Sequence, residues 1–167
     1  TVYYSTLSYN LLSSAETIPF KTLLTKNPAA DDIVHFVVIP NYKEPLHKLE
    51  KTIEHIVQNN YNPQSIVLVL AFEKREEEAQ HKAKVLRSNY SSHFKTVLES
   101  YHILQPHEEA GKASNQTAAA KIISAYVKAE NISPKNTILT ICDADSVLPQ
   151  NYFDYLTYTY LEDEGRI

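Results

Sequence analysis

Glycine is nearly missing from this chain: among 167 residues only Gly111 and Gly165 occur. A Rossmann dinucleotide fingerprint and a Walker phosphate loop each need several glycines inside one short loop, so neither is present. Any nucleotide held here must be held by side chains, isolated backbone amides or a metal. The lone cysteine, Cys142, excludes an intrachain disulfide and any zinc site built on several thiolates. It lies inside an apolar run, the setting of a small inert hydrophobe. No HExxH helix and no GxSxG elbow occurs. No run approaches the roughly 18 apolar residues of a membrane span, and no signal peptide is visible. Methionine is absent even from position 1, which suggests a piece of a longer polypeptide or a removed start. A basic stripe is missing too, and a formal net charge of −4 leaves no electrostatic footprint for nucleic acid.

What remains is ordinary for a folded domain, with 43% hydrophobic and 22% charged residues and enough length for one core. Residues 1–32 are rich in Ser, Thr and Tyr and lack periodicity; they read as a leading arm or linker. In it Val2-Tyr3-Tyr4 and Ile18-Pro19-Phe20 are candidates to pack on a domain surface. Residues 33–167 read as the folded domain. Residues 34–39 form a β-branched run closed by Pro40, the pattern of a fully buried strand. After Pro45, Leu46, Leu49, Ile53, Ile56 and Val57 fall on one helical face. Residues 65–72 form a second buried strand. A charged helix is expected from Lys74 to about Tyr90, with Glu76-Glu77-Glu78 as a solvated first turn. Residues 94–104 give a less continuous strand, suited to a sheet edge. A helix over 113–129 turns Ala119, Ile122, Ile123 and Tyr126 inward. Residues 137–142 read as a buried strand, and a last helix runs through Phe153, Leu156 and Tyr160. Strands alternating with helices predict an α/β fold, a mostly parallel Rossmann-like sheet with helices on both faces.

In such sheets ligands bind outside the carboxyl ends of the strands. The fourth strand runs into Asp143-Ala144-Asp145, two carboxylates spaced i, i+2. On an extended chain that spacing turns both to one side, where they suit a hard cation such as Mg²⁺ or Mn²⁺. Otherwise they are acids that end a strand. Pro40-Asn41-Tyr42-Lys43-Glu44 follows the first strand and offers a flat ring and polar edges for a base, or else a plain turn. Glu73-Lys74-Arg75 follows the second, with an acid for a base or ribose, or a helix cap. Glu108-Glu109-Ala110-Gly111-Lys112-Ala113-Ser114-Asn115-Gln116 follows the third strand and opens the third helix. Gly111 permits close backbone approach. A lysine at a helix start opposes the helix dipole unless an anion such as diphosphate shares the site.

These segments, in this order, resemble the nucleotide-binding half of family-2-type inverting glycosyltransferases of the GT-A fold, the group containing cellulose, chitin and hyaluronan synthases. The resemblance runs from about Val34 to Ile167 and includes Leu148-Pro149-Gln150-Asn151-Tyr152 after the DxD. It implies that Pro40, Tyr42 and Glu44 line the base pocket, with Glu73 also at the base. At that point Phe72-Glu73 stands in place of the family's usual pair of aspartates. Lys112 and Asn115 would lie near the uridine and diphosphate. Asp143 would sit on the nucleotide side, and Asp143 and Asp145 would be the metal carboxylates, Asp145 holding the Mn²⁺ or Mg²⁺ that bridges the phosphates.

The implied activity is hexosyl transfer from a UDP-sugar to a glycan or other hydroxyl acceptor, with inversion. The expected partners are that donor, the acceptor and a membrane-embedded remainder of a parent chain, with this piece on the cytosolic side. The catalytic base is expected beyond Ile167, so this piece is expected to bind donor and metal without efficient transfer. A non-catalytic nucleotide-binding or interaction domain with a degenerate site is the alternative. A haloacid-dehalogenase-type phosphohydrolase also uses Asp-x-Asp, but after its first strand rather than its fourth. The sequons at Asn89, Asn115 and Asn131 read as chance, and the histidines as solvated or core imidazoles.

Overall fold

The computed structural model describes residues 17–106, 108 and 111–163. Val2-Tyr3-Tyr4, Glu109, Ala110 and the residues after Asp163 lie outside that range. The elements are α1 (Phe20–Leu24), β1 (Val34–Asn41), α2 (Leu46–Val57), β2 (Ile66–Glu73), α3 (Ala79–Tyr90), β3 (Thr96–His102), α4 (Lys112–Ala129), β4 (Thr137–Ile141) and α5 (Tyr152–Glu162). Proline sets the approach to three of the strands. Short 3₁₀ turns at Pro28–Asp32, Pro63–Ser65 and Pro134–Asn136 deliver the chain to β1, β2 and β4. In the first two, the preceding Asn27 and Asn62 side chains accept the backbone N–H two residues on, a local turn that competes with helix or strand. Asn131, with φ 53°, ends α4 in a Schellman motif: Ile132 N donates to Val127 O and Asn131 N to Lys128 O.

Among the described residues four strands run parallel in the order β3-β2-β1-β4. This is the α/β, Rossmann-like architecture that the alternation predicts. The chain moves outward from β1 to β3, then crosses back over α4 to pair β4 with the other side of β1. Right-handed crossovers put helices on opposite faces when the direction reverses. Accordingly, Leu49, Ile53 and Ile56 of α2, Ala83 and Leu86 of α3 and Phe153 of α5 pack with Val37, Ile39, Leu68 and Leu70 on one face. Ala119 of α4 packs with Phe36, Val38, Val67 and Val69 on the other. Every residue of β1 and β2 is buried, which suits their largely apolar runs, with His35, Asn41 and Glu73 the polar exceptions. Before β1, Phe20 of α1 is buried against the Tyr155 and Tyr158 rings of α5, and Leu24 and Ala30 join the same core.

Four expectations need correction. The strand at 137–141 is not buried: it is a sheet edge, with Leu139 53% and Ile141 47% exposed. An apolar run shows what a strand can bury, not whether a helix lies over it. Ile122 is exposed rather than inward, because among the described residues α4 is the one helix on its face and it leans on the sheet through Ala119 and Ile123. The helix α3 begins at Ala79, not Lys74, since residues before it form a turn that extends the β2 end through Lys74 N to His102 O. Glu76 in that turn is buried, not solvated. The edge position expected of the third strand is observed.

Candidate functional site

The chain changes direction between β1 and β4, and such a switch point opens a crevice at the strand ends. A cleft of about 470 Å³ lies there. All eight residues singled out from the sequence line it: Pro40, Tyr42, Glu44, Glu73, Lys112, Asn115, Asp143 and Asp145. They arrive from the end of β1, the end of β2, the start of α4 and the turn after β4.

The Asp143–Asp145 segment differs from expectation in backbone form. β4 stops at Ile141, and Ser146 N donates to Asp143 O at 3.0 Å, closing a β-turn. Turn geometry rather than strand alternation therefore presents both carboxylates to the cleft. The turn is pegged from below by buried Thr52 of α2, whose hydroxyl donates to Ala144 O at 2.8 Å. Thr52 is legible after the fact: it is a polar residue on the inner face of a helix, in line with Leu49 and Ile56.

Lys112 stands at the first position of α4 and reaches Asp143, Nζ to Oδ1 2.6 Å, with both side chains more than half exposed. That hydrogen bond, with the charges of Asp143, Asp145 and Glu44, holds the Lys112 ammonium above its ordinary pKa. A Cβ placed on Gly111 would meet nothing within 4 Å, so protein packing does not demand glycine there. The space over it belongs to the cleft, at a helix N-terminus, the end whose dipole favours an anion. Asn115, fully buried, ties α4 to the sheet by donating from Nδ2 to Ala71 O at 2.8 Å. With Nδ2 committed, its Oδ1 has no partner among the described residues, and neither has Oδ1 of Asn41.

Arg75 was missed as a site residue. Its guanidinium lies 4.2 Å from the centroid of the Tyr42 ring, and its Nε donates to Glu73 Oε2 at 2.5 Å. The Glu73 bond holds the guanidinium above its usual pKa range. Lys43 Nζ is 5.2 Å from the same ring. Such cation–π packing is favourable at an exposed ring. In the sequence, Arg75 showed only as one of several charges at the head of a helix.

The cleft carries four carboxylates, Glu44, Glu73, Asp143 and Asp145, against two cations, Arg75 and Lys112. A diphosphate would be repelled by that excess unless a dication came with it. Among the described residues no set of three or more His, Cys, Asp or Glu side chains is arranged to hold an ion by itself. The lone Cys142 is buried beside the turn, and burial pushes its thiol pKa up, away from nucleophile or ligand chemistry. Among the described residues no helix is long and apolar enough to cross a membrane. The chain matches no protein-family model and no curated protein.

Proposed function

We propose that this chain binds a nucleotide-sugar, with UDP as the nucleotide, and forms the donor side of a metal-dependent inverting glycosyl transfer. One observation carries the reading. Four segments far apart in sequence, chosen for nucleotide, diphosphate and metal chemistry, line a single cleft at the switch point of a parallel sheet.

In this reading Tyr42 offers its ring face to the base, and Glu44 and Glu73 accept from base or ribose donors. Lys112 exchanges its bond with Asp143 for the diphosphate, adding a point charge to the N-terminus of α4. Asp143 and Asp145 are the carboxylates that would hold Mn²⁺ or Mg²⁺. When bound, the ion supplies Lewis-acid stabilisation of the diphosphate that departs as an acceptor hydroxyl attacks the anomeric carbon. Lys112 stabilises the same developing charge.

Calorimetric titration of UDP with and without Mn²⁺ tests the reading. The expected result is binding that depends on Mn²⁺ and is lost in Asp145→Ala. Binding indifferent to metal and to Asp145→Ala would leave a nucleotide-binding module without this chemistry. Absence of any UDP binding would remove the nucleotide reading altogether.

A further inference from the structure

Glu76 and Lys82 are charged residues in the interior, each with its side chain 4% exposed, and they form an ion pair through Glu76 Oε1 and Lys82 Nζ. Neither lines the cleft. Buried ion pairs contribute little net stability, because desolvation offsets most of their attraction. What this pair does is visible in its other bonds. Glu76 Oε2 accepts from Asn41 Nδ2 at 3.1 Å and from Lys43 N at 3.0 Å. Lys82 Nζ donates to Glu44 O at 2.6 Å. The last residue of β1 and two positions of the loop after it are thus fastened from the turn after β2 and the start of α3.

The loop needs fastening. Lys43 has φ 62°, a left-handed conformation that costs a side-chain-bearing residue energy and persists only where the surroundings over-determine it. The bond from Lys43 N to Glu76 supplies that constraint. A carboxylate only accepts, so it also fixes the Asn41 amide with Nδ2 toward Glu76. Asn41, Tyr42 and Glu44 of this segment line the cleft, so the fastened positions are cleft residues themselves or flank one.

We infer that the Glu76–Lys82 pair presets the 41–44 loop for the nucleotide, so that Tyr42 and Glu44 face the cleft before the ligand arrives. The pair are positioning residues; this rests on the nucleotide reading above. Preorganisation raises affinity by removing ordering costs from the binding step.

The test joins two measurements on the whole chain: UDP affinity with Mn²⁺, and hydrogen exchange at the Lys43 amide by NMR. Glu76→Ala, Glu76→Gln and Lys82→Met are compared with Ile56→Val, which thins the core away from the loop. The expected result is faster Lys43 exchange and a dissociation constant at least about tenfold higher in Glu76→Ala. Glu76→Gln, which keeps one acceptor, should fall between it and wild type, and Ile56→Val should leave both readouts unchanged. If Glu76→Ala does not fold, Glu76→Gln and Lys82→Met carry the comparison. Wild-type affinity in the variants, or Lys43 exchange that does not accelerate, overturns the inference. A wild-type chain that binds no UDP fails at the nucleotide reading instead, and the exchange series still reports whether the loop is fastened.

Discussion

Acidification should destabilise this protein through His35, and replacing that residue should remove the effect. His35 has no exposed surface; its Nε2 meets Thr157 Oγ1 at 2.8 Å, and its ring packs edge-on against Tyr61 and Phe153. Its Nδ1 has no partner among the described residues, so an added proton would have no acceptor. Burial lowers its pKa from 6.5 to about 3. The folded state therefore refuses a proton that the unfolded chain takes below pH 6.5. The stabilisation is complete above that value and is lost as pH falls toward 3. From about pH 7.5 to about pH 5 the unfolded imidazole gains its proton and the folded one does not, a loss of about 2 kcal/mol. Asp154 works the other way: burial raises its pKa, so the folded state regains stability as acid protonates it. The difference between wild type and His35→Leu isolates the histidine. Urea midpoints at the two pH values give the measurement. The wild type should lose about 2 kcal/mol more than the variant over that interval. Parallel losses in the two proteins would refute the assignment of a neutral, desolvated imidazole.

The edge and centre of the sheet should respond differently to the same truncation. Leu68→Ala, in fully buried β2, should cost about 2–5 kcal/mol in chemical denaturation, whereas Leu139→Ala, half exposed on β4, should cost under about 1 kcal/mol. Lys112→Met should change stability by less than about 1 kcal/mol, because its pair with Asp143 is largely exposed. The same variant should weaken UDP–Mn²⁺ binding and flatten its dependence on salt, read by titration at two ionic strengths.

Several features of the fold and cleft were legible because local chemistry alone specifies them. Largely apolar runs over 34–39 and 66–72 mark β1 and β2 as buried strands, and Asn-Pro pairs mark two of the turns that lead into strands. The scarcity of glycine rules out the usual phosphate loops. Placement of the eight cleft residues followed from one rule: strand ends of a parallel sheet share an edge. Sequence alone does not say what they bind. Glu76 reads as solvated and Lys82 passes unremarked because a charge near or in a helix looks solvated until its partners are known, and their bonds to the segment after β1 span 33 to 38 residues. A charge among Ala79, Ala83 and Leu86 was nevertheless a visible irregularity at Lys82.

By itself the sequence determined the α/β alternation, the two fully buried strands and the four segments at the strand ends, since periodicity and turn residues act over a few positions. Only the tertiary structure decided that β4 is an edge, that Asp143 and Asp145 sit on a turn, that Arg75 covers Tyr42, and that a buried ion pair holds the 41–44 loop. Each of these depends on which distant residue lies alongside, and that is set by strand order and crossover handedness rather than by neighbours in the chain.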